Sequence, residues 1–194
     1  RWRGQRYLGQ VGEADPRQRE PSLQAAGRLD TAIKDLRIAD RANGKDVFVD
    51  VAALEFAVAG IGRDHEMRRS FAFLTSENYF PMLGVQAFRG RFYNAEECKP
   101  NANMAVLVSS YGFWKRNGAR DDFVGSTIQI NGQPYTVIGI APDGFSGANA
   151  LIAPDIWLPL GIRSQFGSAF GDSETTHDLL DPKNYTFNLV ARMR

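Results

Sequence analysis

The chain has 194 residues, 43% of them hydrophobic and 23% charged, which suits one domain of ordinary size or two small lobes. With 23 Lys+Arg against 22 Asp+Glu, the formal net charge of +1 argues against a chain-wide nucleic-acid footprint. A lone cysteine excludes an intrachain disulfide and the cysteine-rich zinc sites, and no apolar run reaches the ~18 residues a spanning helix needs.

Residues 1–28 read as a linker or arm. The first twenty are polar, carry Arg1, Arg3, Arg6, Arg17 and Arg19, and lack the apolar core of a signal peptide. Leu29, Ala32, Ile33, Leu36 and Ala39 recur at helical spacing, which predicts a helix over 30–41 with Asp30 as cap and Asn43-Gly44 as stop. Segments 55–61 and 67–75 are rich in β-formers and flank a turn-like 62–66, so they read as a hairpin with a charged tip. Residues 76–83 predict a brief helical turn, with Ser76 as cap, Gly84 as stop and Pro81 limiting its length.

Asn94 followed by Glu97 fits a capping box. Residues 105–109 read as a short buried strand, and 110–117 as a short helix carrying Tyr111, Phe113 and Trp114. Residues 127–130 and 134–140 flank Asn131-Gly132, the dipeptide a two-residue type I′ turn demands. A strand is expected at 155–160 and a long polar loop at 161–184. Tyr185, Phe187, Leu189, Ala191 and Met193 alternate along 185–193 and predict a half-buried strand. Short strands mixed with short helices, without βαβ spacing, define an α+β fold.

The sequence shows no phosphate-cradling G-x-x-x-x-G-K-[ST] or G-x-G-x-x-G. Cys98 follows Glu96-Glu97, and acidic neighbours raise a thiol pKa, so it reads as an inert half-buried residue. His65 reads as a turn residue. A metal site from His177, Asp178 and Asp181 matches no familiar ligand spacing. Glu96/Glu97 reads as a helix-terminal pair and Asp121/Asp122 as a turn. Asn184-Tyr185-Thr186 is a lone glycosylation sequon. The rings Tyr79, Phe80, Phe88, Phe92, Tyr93, Phe113 and Trp114, with Arg89, Arg91, Lys115 and Arg116 among them, have the composition of a single-strand nucleic-acid platform. The near-zero net charge favours the other reading, a ring-packed core with its cations at the rim. No catalytic, cofactor-binding or metal residue is assigned.

The order of several short pieces is more specific than any one of them. Ser76-Glu77-Asn78-Tyr79-Phe80-Pro81-Met82-Leu83-Gly84-Val85 is followed by Gly90-Arg91-Phe92 and Glu96-Glu97. Then come Val106-Leu107-Val108-Ser109, Trp114-Lys115-Arg116, Val124-Gly125, the run from Ile128 to Pro142, Gly144-Phe145, and the run from Pro154 to Leu160. This series resembles the extracytoplasmic core domain of MacB-type ABC transporter permeases, the MacB/FtsX-like superfamily, over residues 29–194.

The resemblance implies a domain inserted between the first two membrane helices of a permease. Its porter-like lobe would be 29–75 plus 185–194, with an inserted mixed α/β outer lobe at 76–184. It implies a non-catalytic periplasmic domain without cofactors. Such a domain transmits conformational change and contacts substrate or an envelope partner. The implied partners are the membrane helices of the parent permease, a separate ATPase subunit and an envelope protein, and no nucleic acid. The alternatives are an extracytoplasmic ligand- or peptide-binding module and an enzyme with an unrecognised site. If one lobe is inserted in the other, 185–193 should share a sheet with the 55–75 hairpin and bury Tyr185, Phe187 and Leu189 against the helix carrying Leu29, Ile33 and Leu36.

Overall fold

The computed structural model describes residues 5–8, 47–62, 67–99, 102, 104–149, 151–166 and 188–194. In chain order its strands are β1 (Gln5–Leu8), β2 (Phe48–Ile61), β3 (Arg68–Thr75), β4 (Arg89–Gly90), β5 (Val106–Ser109), β6 (Thr127–Ile130), β7 (Gln133–Ile140), β8 (Ile156–Pro159) and β9 (Asn188–Met193). The helices are α1 (Tyr79–Met82), α2 (Ala95–Cys98) and α3 (Tyr111–Arg116), with 3-10 turns at Asp121–Phe123 and Leu160–Gln165. The fold is α+β around one mixed sheet.

Eight strands follow the order β1-β9-β2-β3-β8-β5-β7-β4, and β6 leaves this path to pair with both β7 and β2. Strands β2, β3, β8, β5, β7 and β6 therefore close into a ring. Two of its contacts, β3–β8 and β5–β7, are parallel, and the rest are antiparallel. Alternate residues of the ring strands point inward: Ala57, Ala59 and Ile61 from β2, Ala72 and Leu74 from β3, Leu107 from β5, Ile130 from β6, Val137 from β7, and Ile156 and Leu158 from β8. Phe113, Trp114 and Phe123 join this cluster. Residues facing the other way, among them Leu54, Phe73, Val108 and Trp157, form a second core under Tyr79, Phe80, Met82 and Leu83. The central strands β5 and β8 are covered on both faces, which is why they read as continuous apolar runs.

The hairpin of β6 and β7 turns at Asn131 (φ 50°) and Gly132 (φ 78°), as the Asn-Gly pair requires. Replacing Gly132 with valine places a β-branched residue at positive φ and should cost about 1–2 kcal/mol, read as a shift in the urea midpoint. Gly90 serves differently. It has φ 73°, and a Cβ there would stand 2.2 Å from the Ile138 carbonyl oxygen, so the β4–β7 backbones meet only because neither Gly90 nor Gly139 has a side chain.

Strand β9 lies antiparallel to β2, from Phe48↔Met193 to Leu54↔Asn188, so the C-terminal strand shares a sheet with the expected hairpin, along the part of β2 that precedes residue 55. The helix at 30–41 and residues 185–187 lie outside the described residues, so the expected packing of one on the other does too. The expected alternation holds for Leu189 and Ala191, which both face the ring core, but the strand is not half-buried, because Val190 on its other face is buried in the second core.

Three other expectations are corrected. Within the expected arm, Gln5–Leu8 is a strand paired with β9. The polar loop expected from 161 begins instead with a 3-10 turn that buries Ile162 and Arg163. Ser76 does not cap α1: its hydroxyl accepts the Ala53 N–H at 3.0 Å and donates to Asn78 Oδ1 at 2.7 Å. Asn78 donates in turn to Asp50 Oδ1 at 3.0 Å and to the Val51 carbonyl at 2.8 Å, stapling the exit of β3 to β2.

Candidate functional site

The chain leaves α1 at Gly84 and leaves β7 at Ala141, and the two following segments flank an open groove of about 620 Å³. Val85 and Gln86 stand on one side and Pro142 to Asn149 on the other. Two contacts hold the longer segment. The Ala148 N–H donates to the Tyr79 hydroxyl at 2.9 Å, and the Phe145 ring packs 5.4 Å from Trp157 and 5.9 Å from Phe80, centre to centre. Asn149 Oδ1 accepts the Leu151 N–H at 2.8 Å, and Leu151 beyond the groove is 94% exposed. The groove offers an apolar wall of Val85, Pro142 and Phe145 beside polar Gln86, Asp143 and Ser146. That composition suits binding by contact and hydrogen bonding.

The aromatic and basic residues do not form one platform. Tyr79, Phe80, Phe92 and Tyr93 belong to the second core, where Phe80 and Phe92 stack 3.9 Å apart. Phe113 and Trp114 belong to the ring core. Phe88 stays 46% exposed and packs on Tyr111 and Trp114. The cations stand at the rim and are engaged. The Arg89 guanidinium lies over Phe88 and Trp114 and bonds Asp121 at 2.6 Å. The Lys115 ammonium lies over Tyr111 and Trp114, and Arg116 bonds Asp155.

Glu97 is the cap that the sequence predicts, and more. Asn94 Oδ1 accepts the Glu97 N–H at 3.1 Å, and Glu97 Oε2 accepts the Asn94 N–H at 2.8 Å, which completes the capping box. Arg91 then grips both carboxylate oxygens, at 2.7 and 2.8 Å. That charge-assisted fork holds the Glu97 carboxyl below the usual carboxylate range, against the opposing effect of burial. A depressed folded-state pKa makes a contribution that is complete above the ordinary carboxylate value and is lost as pH falls through the depressed one. Glu97→Gln should cost about 1–2 kcal/mol at pH 7. The gap from the parent should close as urea titrations are taken from pH 5 towards pH 2.

Cys98 is half-buried, and its thiol faces the Thr75 carbonyl at 3.8 Å. Burial first, then the Glu77 charge, push the thiol well up, so it stays protonated at neutral pH. Asp121 and Asp122 open a 3-10 turn. His65, His177, Asp178, Asp181 and Asn184 lie outside the described residues. Among the described residues no group of three or more His, Cys, Asp or Glu is placed to hold a metal ion, and no helix is long and apolar enough to cross a membrane. Sequence reading missed Arg163, which is 1% exposed and bonds Glu55 through Nε and, at 3.1 Å, through Nη2. Their separation of 108 residues leaves no local signal.

The ringed mixed sheet, with a core on each face and an open groove at one edge, defines a small α+β domain. The family model of the MacB-like periplasmic core domain matches residues 7–191. The chain belongs to that family, the extracytoplasmic domains of MacB-like ABC permeases. It is 33% identical over 86 residues to the macrolide export ATP-binding/permease protein MacB of Hahella chejuensis (strain KCTC 2396), covering 43% of this chain and 12% of that protein. Two solved structures share the fold. The periplasmic region of MacB from Actinobacillus actinomycetemcomitans matches with a TM-score of 0.53 and 14% identity, over 81% of this chain and 64% of that one. The extracellular domain of the ABC-type transporter YknZ from Gram-positive bacteria matches with a TM-score of 0.57 and 15% identity, over 85% of this chain and 72% of that one.

Proposed function

We propose that this domain is a non-catalytic relay of a membrane permease. Nucleotide-driven movement reaches it through the parent's membrane helices, and it contacts substrate or an envelope partner with its outer part. The family match over 7–191 carries the reading. The local chemistry supports it. Glu97 is committed to Arg91 and a helix cap, and the Cys98 thiol is held protonated. Residues 29–75 and 185–194 form the porter-like part near the membrane, and 76–184 the outer part. The partners are the parent's membrane helices, an ATPase subunit and an envelope protein. The open groove favours a second reading, a passive extracytoplasmic ligand- or peptide-binding module.

One experiment separates the two. Val58 (38% exposed) and Leu151 (94% exposed) lie one in each part. Both are replaced by cysteine for spin labelling, with Cys98→Ser, in the full-length protein in its own membranes. A relay predicts an interlabel distance that changes with ATP and vanadate. A distance distribution indifferent to nucleotide contradicts the relay and leaves the binding module.

A further inference from the structure

Two strands of the ring, β2 and β3, come from the porter-like part, and four, β8, β5, β7 and β6, from the outer part. Within the ring the parts therefore meet at two strand junctions, which are unequal, and the Ser76 and Asn78 bonds to Ala53, Asp50 and Val51 add to the hold at the exit of β3. The β3–β8 junction runs through four register pairs, from Ala72↔Ile156 to Thr75↔Pro159. It is braced by Ser70 donating to Asp155, by the Asp155 N–H on the Phe71 carbonyl at 2.9 Å, and by the Thr75–Tyr93 hydroxyl pair. Glu55, which holds Arg163 of the outer part, stands opposite Leu74, and Leu74 opposite Leu158, so that ion pair belongs to the same side.

The other junction, β2–β6, has a single register pair, Ile61↔Ile130. Around it are three hydrogen bonds: Gly62 N–H to the Gln129 carbonyl at 3.0 Å, Asn131 N–H to the Gly60 carbonyl at 2.8 Å, and Gly60 N–H to Asn131 Oδ1 at 2.8 Å. The Asn131 side chain thus does two things, allowing the tight turn and fastening that turn to β2.

We propose that the β2–β6 junction is a latch. The outer part swings on the β3–β8 side, the three bonds around Ile61 and Ile130 break together, and the ring opens to a sheet. Local opening concentrates where few hydrogen bonds and few packed pairs hold a seam, while the ladders around it stay closed. The use of this movement rests on the relay reading; the movement itself does not.

Amide hydrogen exchange followed by NMR on the 194-residue chain tests it, without membrane or nucleotide. The Gly62 and Asn131 amides report the latch, and the Asp155 and Ser76 amides, bonded to Phe71 and Ala53, report the pivot side. The latch amides should exchange at least about tenfold faster than the pivot amides. Asn131→Gly keeps the positive-φ turn but removes the fastening oxygen, so it should speed Gly62 exchange about tenfold and leave Asp155 and Ser76 unchanged. Asn131→Asp keeps both turn and oxygen and should hold the parent rate. Equal exchange at all four parent amides, or a uniform rise in Asn131→Gly, overturns the latch. The parent comparison decides even if that variant fails to fold. A latch that opens here while the interlabel distance ignores nucleotide would overturn the relay alone.

Discussion

Replacing Arg163 by alanine is expected to destabilise the protein by about 3 kcal/mol, the lower end of the range for breaking a buried ion pair. The Arg163 side chain is 1% exposed, whereas Glu55 keeps 12% of its side chain in solvent and can partly rehydrate. For a chain of this size the loss corresponds to a fall in Tm of roughly 6–12 °C. The cost comes from the lost charge-assisted bonds and from leaving the largely buried Glu55 carboxylate without this cation. Pairing Arg163→Met with Glu55→Leu should therefore recover most of the stability. A single variant within about 1 kcal/mol of the parent in urea titration would show that the 3-10 turn is held by its apolar neighbours.

Trp157→Ala should cost about 3–5 kcal/mol. The indole is fully buried in the second core, with Phe80 and Phe145 against it at 5.7 and 5.4 Å. Removing it leaves a cavity beneath the segment that walls the groove. Trp157→Phe should cost much less. The indole Nε1 is buried without a hydrogen-bond partner among the described residues, so phenylalanine gives up packing volume but no bond. Comparable losses in the two variants, by thermal unfolding, would mean that the N–H is satisfied in solution.

These two residues mark the boundary of what the sequence reveals. The hairpin of β6 and β7 was legible because Asn-Gly admits the positive φ angles of a two-residue turn. The Glu97 cap was legible because it acts over three residues. Strands β5 and β8 announced themselves as short apolar runs, yet nothing local says that β8 lies parallel to β3, or that Ile61 meets Ile130 to close a ring. Arg163 looked like an ordinary polar loop residue because its partner lies 108 residues away. The groove was hidden for the same reason. Val85 and Phe145 come to line one groove only after β4 has paired with β7, Gly90 opposite Gly139. The mixture of short strands and short helices gave the α+β class, and the order of many short pieces gave the family resemblance that no single piece could.

A relay of this kind depends on the domain's place outside the cytoplasm, and one labelling experiment tests that place most directly. Leu151→Cys in a Cys98→Ser background puts one reactive thiol at a site 94% exposed, in the full-length protein in intact cells. A membrane-impermeant maleimide should label it without lysis. Labelling that appears only after the cells are broken would contradict the extracytoplasmic assignment and the relay built on it.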